Sequence, residues 1–211
     1  MTTAPKYNYV ALGMLDVVHE RPFTDVSLNA DDRHSMVYIA RRLHELLNGP
    51  EDIPVAPRPL QLALAGPNGR RLRIVLINVS ALDSGRDLSL VGFFGQKRFN
   101  AARTVIDGVD VALQGEFPAF PEVVCYCTLQ LEDGNFGNLV VLEDDAGREH
   151  WRESTHHQYA AADLAPNYYA SLRLHNGVMR GGLKSEPDIH LVRTKYYDYQ
   201  NGFWCGLRDL S

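Results

Sequence analysis

The strongest structural signal in the chain lies in residues 151–177, WRESTHHQYAAADLAPNYYASLRLHNG. Its first part places apolar and small residues at helical spacing, and Pro166 is of a type that ends helices. Its second part alternates polar and apolar residues, which is typical of a strand with one buried face. The sequence therefore predicts a helix from Ala146 to Leu164, followed by a strand.

The predicted helix separates its histidines by direction. At 3.6 residues per turn, His157 shares a stripe with Ser154 and Ala161 and lies beside Trp151. His156 points away from this stripe, towards the side expected to face solvent. Ala161 belongs to a run of three alanines, which would let a flat group approach the helix closely. His157 is thus a candidate ligand, although a half-buried packing role fits the same position.

The predicted strand carries a polar triplet on one face. Alternation puts Ser171, Arg173 and His175 on one side and Leu172 and Leu174 on the other. The triplet would line a reactive site if it faces a cavity, and it would be an ordinary outer surface if it faces water. The alternation is compatible with both.

The remaining elements predict the fold class. Working outward from residues 151–177, they follow the order β-α-β-β-α-β and then β-β-α-β with a final strand. The first part is the order of a ferredoxin-like unit. We therefore predict an α+β fold of two tandem ferredoxin-like halves, residues 1–118 and 119–211, in one compact unit. Because such sheets carry helices on one face, we expect the antiparallel sheets to form an α+β barrel of the dimeric type.

Some individual elements are predicted more specifically. Tyr7–Val18 is rich in β-branched and aromatic residues and predicts a strand. Asp31 and Asp32 predict the start of a helix, because carboxylates cap and complement helix N-termini. A loop followed by a helix is predicted from about Gln96, and residues 107–117, DGVDVALQGEF, predict a short strand.

A family resemblance lies in the same helix and strand. The residues that carry it are Trp151, Ser154, His157, Tyr168, Tyr169, Arg173, His175 and Gly177. This pattern resembles the dimeric α+β barrel superfamily. Members include antibiotic-biosynthesis and haem-degrading monooxygenases, stress-responsive barrel proteins, aldoxime dehydratases and chlorite dismutases. The resemblance covers about residues 120–183, and the first hundred residues share only the order of elements.

The resemblance implies a haem b site. His157 would be the proximal iron ligand, and His175 would be a distal acid or base next to the substrate. Arg173 would contact an anion or the substrate. The cofactor-contacting residues implied in this way are His157, Trp151, Ser154 and Ala161. The reaction would be dehydration at a nitrogen–oxygen bond or an oxidative step on a small organic molecule.

Two departures keep other functions open. The helix has Ser154-Thr-His-His157 where the dehydratases have His-Pro-Thr-His, and many cofactor-free members keep the helix histidine. A monooxygenase or cyclase without a cofactor, using His157 or His175 as a base, is therefore the first alternative. The second is a non-catalytic barrel that binds a small ligand.

Composition limits the classes of partner. The net charge of −5 and the scattered basic residues give no sign of nucleic-acid binding, and no apolar stretch is long enough to span a membrane. Cys125 and Cys127 alternate onto one face of a strand and are expected to be reduced core residues. In GFFGQKR, Lys97 or Arg98 could bind a propionate or another acid, although a surface turn is the more ordinary interpretation. We expect a cytoplasmic homodimer that acts on a small molecule.

Overall fold

Nine strands form a single sheet in the computed structural model, which describes residues 7–49 and 59–211. The strands are β1 (Val10–Ala11), β2 (Leu60–Ala65), β3 (Arg71–Leu76), β4 (Leu88–Lys97), β5 (Val123–Gln130), β6 (Phe136–Leu142), β7 (Tyr169–Arg180), β8 (Asp188–Asp198) and β9 (Trp204–Asp209). Their order across the sheet is β1-β9-β8-β7-β4-β6-β5-β3-β2. The described strands pair antiparallel, apart from β1 and β9, which pair in parallel.

The helices are α1 (Val26–Asn48), α2 (Val79–Leu82), α3 (Arg103–Glu116), α4 (Asp145–Trp151), α5 (Thr155–Tyr159) and α6 (Ala165–Tyr168). A π-helical turn, Ala160–Leu164, joins α5 to α6, and single 3-10 turns lie at Pro22–Thr24, Pro67–Gly69 and Phe117–Ala119. The helix predicted from Ala146 to Leu164 is thus present as a series of short segments. Pro166 is the second residue of α6, which follows the π-helical turn without a break, so the proline does not end the helical segment there.

A ferredoxin-like unit occupies the centre of the sheet. It runs β4-α3-β5-β6-α4 to α6-β7, and its strands lie in the spatial order β7-β4-β6-β5. The unit spans residues 88–180 and therefore crosses the predicted boundary between residues 118 and 119. Within the described residues, β2 and β3 extend this unit on one side, and β8, β9 and β1 extend it on the other.

The region from β4 to α3 differs from the prediction. Residues 88–97 are a strand, and α3 begins at Arg103 and includes most of the segment predicted as a strand. Ile106, Val109 and Leu113 explain the helix, because their spacing of three and four residues brings them to one face, where they line a cavity. The alternating valines of this segment, Val109 and Val111, favour a strand only locally.

The N-terminal region also differs from the prediction. The strand predicted over Tyr7–Val18 is reduced to the two residues of β1. Helix α1 begins at Val26, and the carboxylate of Asp25 caps it by accepting a hydrogen bond from the Ser27 backbone N–H at 2.9 Å. Asp31 and Asp32 consequently lie inside α1.

Each face of the sheet has its own apolar core. Helix α1 packs against one face through Met36, Ile39, Ala40 and Leu43, all fully buried. Helices α3 and α4 pack against the other face, where the core contains Val75, Phe117, Tyr126, Val140 and Trp151. Cys125 and Cys127 lie in the α1 core as free thiols, as predicted.

These features confirm the α+β class. Within the described residues the sheet is open, with β1 and β2 as its edges, and α1 covers the face opposite α3. None of the helices in residues 7–49 and 59–211 has the length and apolar character needed to span a membrane.

Candidate functional site

A cavity of about 500 Å³ lies between the sheet and the helices on the α3 side. This volume is within the range of small-molecule binding sites. Most of its lining is apolar, including Val91, Phe93, Ile106, Leu113, Val140 and Leu164. One chain supplies all of these walls.

The register of the strands organises the floor of the cavity into rows. Tyr126, Val140 and Val91 are direct neighbours across β5, β6 and β4 and form the first row. Thr128, Asn138, Phe93 and Leu174 form the second row, and Phe136 and Gly95 belong to the third. Because paired residues in an antiparallel sheet share a face, all of these positions face the helices.

Gly95 lets an aromatic ring lie flat against the third row. A Cβ atom at this position would be 2.4 Å from Cε1 of Tyr169. The ring of Tyr169 also makes an edge contact with Phe93, with centroids 5.2 Å apart. The missing side chain of Gly95 therefore shapes this end of the cavity.

A polar wall stands on the β3 and α3 side. Arg73 forms an ion pair with Asp110 and donates a second hydrogen bond to Oγ1 of Thr128 at 3.0 Å. Nε2 of Gln114 also donates to the carboxylate of Asp110, at 3.2 Å. The charge of Arg73 is thus neutralised within the wall.

Tyr126 supplies a neutral hydroxyl next to this wall. Burial, and then the negative charge of Asp110, raise its pKa well above the ordinary value. Nδ2 of Asn138 donates to the hydroxyl oxygen at 3.1 Å. Tyr126 therefore remains protonated at all physiological pH values.

His157 occupies the roof of the cavity. Ser154 is the N-cap of α5, and its Oγ accepts a hydrogen bond from the backbone N–H of His157 at 3.0 Å. The rings of His157 and Trp151 are in contact, with centroids 4.9 Å apart. Ala160 and Ala161 line the same roof, where their small side chains leave space.

The imidazole of His157 is neutral and has no hydrogen-bond partner in the described part of the chain. Burial lowers its pKa to about 4, and the positive charge of Arg152 adds to this effect. No group in residues 7–49 or 59–211 hydrogen-bonds to either ring nitrogen, and the ring borders the cavity. A neutral imidazole in this setting can accept a hydrogen bond or bind a metal ion.

The other residues that the sequence predicts on the histidine helix differ in whether they reach the cavity. Trp151 and Ala161 line the cavity with His157. Trp151 belongs to α4 and the other two follow the non-helical Ser154, so helical spacing relates only His157 and Ala161. Ser154 does not line it, because its hydroxyl caps α5 and bonds to Glu116. His156 is 45% exposed and pairs with Glu116 at 2.7 Å, in line with the expected solvent side.

His175 and Arg173 lie on the opposite face of the sheet, under α1. Nε2 of His175 contacts Oδ2 of Asp32 at 2.8 Å, and Nδ1 contacts the hydroxyl of Thr194 at 2.9 Å. Arg173 donates two hydrogen bonds to the same carboxylate, at 2.5 and 2.9 Å. The expectation that these two side chains share a cavity with His157 is corrected, because the sheet separates them.

The group formed by Asp32, Arg173, His175 and Thr194 is here called the Asp32 network. Burial raises the pKa of Asp32, but the hydrogen bonds from Arg173 and His175 and the positive charge of Arg173 outweigh it and bring the pKa below its ordinary value. Burial lowers the pKa of His175 more than Asp32 raises it. Asp32 is therefore ionised and His175 neutral, so that Nε2–H donates to the carboxylate and Nδ1 accepts from Thr194.

Metal ligands are not clustered in the described residues. No group of three or more His, Cys, Asp or Glu side chains there is arranged to hold a metal ion. A cofactor that brings its own donor atoms, such as a porphyrin, would need only His157 from the protein.

Comparisons with known proteins show no family. No family model and no curated protein matches the chain. Among solved structures, a protein from Shewanella oneidensis is 12% identical over 44% of this chain and 93% of its own, with a TM-score of 0.38. An aldoxime dehydratase is 10% identical over 72% of this chain, with a TM-score of 0.25, and the match spans 39% of its length. Both scores are too low to carry an argument about fold or function.

The sequence contains a signal for the floor of the cavity outside the helix and strand of residues 151–177. Alternation places Cys125 and Cys127 on one core face, and the residues that alternate with them, Tyr126 and Thr128, consequently belong to the other. Arg73 had no comparable local signal, because its partner Asp110 is 37 residues away.

Proposed function

We propose that this protein binds a flat, mostly apolar small molecule in the cavity, and that haem b ligated by His157 is this molecule. The observation that carries the proposal is a neutral imidazole that has no hydrogen-bond partner among the described residues, beside a largely apolar cavity of about 500 Å³. Iron binds the neutral form of histidine, so no proton has to be displaced.

The donor set and the walls fit haem. His157 would hold the iron, and Trp151 would orient the imidazole by packing against it. The alanines of the roof and the aromatic floor would enclose the ring system and exclude water. When bound, haem supplies an iron centre that binds small ligands or exchanges an electron. Since one chain supplies these walls, binding needs neither the barrel nor the homodimer expected from the resemblance.

A specific reaction is not part of the proposal. The distal acid or base expected from the resemblance was His175, which is held in the Asp32 network on the other face. On the cavity side of the sheet, Tyr126 has a neutral hydroxyl that can donate a hydrogen bond to a bound ligand. An imidazole with a pKa of about 4 is a weak base at neutral pH, so His157 fits a ligand role better than general-base catalysis.

One observation favours binding without a cofactor as the second candidate. An iron-ligating histidine usually donates its other N–H to an acceptor of the protein, and the described residues provide none for His157. In that case the imidazole would accept a hydrogen bond from an organic ligand.

Titration with hemin separates these functions. Hemin is added to three full-length proteins: the wild type, His157→Ala and the control His156→Ala. All three also carry Trp204→Phe, so that Trp151 is the only tryptophan and its fluorescence can be followed. Haem binding predicts that the Soret band of hemin shifts and that Trp151 fluorescence is quenched in the wild type and the control. In His157→Ala the shift of the Soret band should be lost. Quenching that is equal in all three proteins would refute axial ligation, and the absence of any binding would refute the haem proposal.

A further inference from the structure

The mouth of the cavity carries two cations from different strands. Arg71 begins β3 and Lys97 ends β4, and both side chains line the cavity at the same end of the sheet. The turn between β5 and β6 lies beside them and contributes Gly134 and Asn135 to the lining. Both cationic side chains are exposed to solvent at this end.

Arg71 reaches over the floor of the cavity. Its guanidinium carbon lies 5.9 Å from the ring centre of Phe136, which is on β6, directly beside Gly95 of β4. Lys97 follows Gly95 by two residues on the same strand. The register therefore brings the two positive groups to one rim although their strands are not adjacent.

Neither cation is neutralised by the protein in the described residues. No described carboxylate forms an ion pair with Arg71 or Lys97, and two carboxylates of this region have other partners. Asp110 pairs with Arg73, and Glu132 pairs with Arg70 at 3.5 Å. Two unpaired positive charges at an apolar cavity stand out in a chain with a net charge of −5.

The opposite end of the cavity is mostly apolar. Val91 and Val140 form its floor together with Tyr126, whose hydroxyl is neutral, and Trp151, which is 5% exposed, packs there within the core of the α3 side. The cavity is consequently polarised, with an apolar end near His157 and Trp151 and a cationic end open to solvent. Such a site orients a molecule that has a flat apolar body and one anionic end.

We propose that the ligand of this cavity carries an anionic group, of the carboxylate class, which Arg71 and Lys97 bind at the mouth while its apolar body reaches towards Trp151. This inference rests on the proposed function of the cavity, and it specifies the class and orientation of the ligand. Arginine suits a carboxylate because its fork of N–H donors can bind both oxygens.

The test uses two fluorescent probes with the same aromatic frame. Anilinonaphthalene sulfonate has an anionic group, and phenylnaphthylamine lacks it. Each is titrated into wild type, into the double variant Arg71→Gln/Lys97→Gln, and into Arg86→Gln/Lys184→Gln. The last variant removes the same charge from exposed positions outside the cavity. Thermal unfolding verifies that all three proteins are folded.

The sulfonate probe is expected to bind the Arg71/Lys97 variant about ten-fold more weakly than wild type, which corresponds to about 1.4 kcal/mol. The neutral probe and the control variant should show no change. Laurate should displace the sulfonate probe from wild type, and inorganic phosphate should not, because the apolar body contributes to binding.

Each outcome has one meaning. If the neutral probe binds and the sulfonate probe is unaffected by the Arg71/Lys97 variant, the inference is wrong while the cavity remains a binding site. If both probes weaken together in that variant, the cations act on the shape of the cavity, and the inference is also wrong. If neither probe nor hemin binds wild type, the proposed function and the inference both fail.

Discussion

Replacing Asp32 by asparagine tests whether the Asp32 network stabilises the fold. The carboxylate is 5% exposed and accepts three hydrogen bonds, two from Arg173 and one from His175. Asparagine keeps one acceptor oxygen, but its NH₂ group would face a donor, and the charge of Arg173 would lose its partner. Breaking a buried ion pair in this way costs about 3–5 kcal/mol. With a slope of about 2 kcal/mol per molar urea, the unfolding midpoint should fall by about 2 M.

The neighbouring residue provides the matched control. Asp31 precedes Asp32 on α1 and is exposed, so Asp31→Asn should change the free energy of unfolding by less than about 0.5 kcal/mol. Because the pKa of Asp32 is lowered in the folded chain, its contribution is complete at neutral pH and is lost as the pH falls through the acid range below about 4. The reasoning is refuted if Asp32→Asn and Asp31→Asn unfold within about 1 kcal/mol of each other at neutral pH.

Three further predictions concern the cavity. The pKa of His157 is about 4 in the folded chain and 6.5 ordinarily, so the free energy of unfolding should decrease as the pH falls from about 6.5 to about 4. The decrease is at most about 3 kcal/mol. Urea unfolding at a series of pH values should show that His157→Gln removes this contribution to the pH dependence. Gly95→Ala should lower the free energy of unfolding by about 1–3 kcal/mol, because the added Cβ would meet the Tyr169 ring. Its control is Gly108→Ala in an open part of α3, which should raise the free energy of unfolding by about 0.5–1 kcal/mol. Thermal unfolding measures both. Ser154→Ala should cost about 1 kcal/mol through loss of the α5 cap, and Ser154→Thr should retain most of the stability.

The helix and strand of residues 151–177 could be predicted because their signals are local. Helical spacing was sufficient to place His157 and Ala161 on one side and to direct His156 elsewhere. Local patterns failed in α3, where the alternating valines Val109 and Val111 favour a strand. There, packing against the sheet decided the structure, through contacts that are distant in sequence.

The partners of His175 could not be predicted in the same way. Alternation on β7 grouped His175 with Arg173 correctly, but it carries no information on what covers each face. That information lies in Asp32, which is 143 residues away from His175 in the sequence. The local pattern instead gave Asp32 a capping role, which Asp25 fills.

The two faces of β7 connect the stability of the fold to the shape of the cavity. Leu174 lines the cavity, and the residues on either side of it, Arg173 and His175, bind Asp32 under α1. A shift of β7 by one residue would exchange the faces, turning Leu174 towards the carboxylate and leaving the charge of Asp32 buried without a partner. The Asp32 network therefore opposes this shift, and by holding the register it keeps Leu174 facing the cavity beside Phe93 of β4. A residue of α1 thus determines which side chains of β7 are available to the ligand on the other side of the sheet.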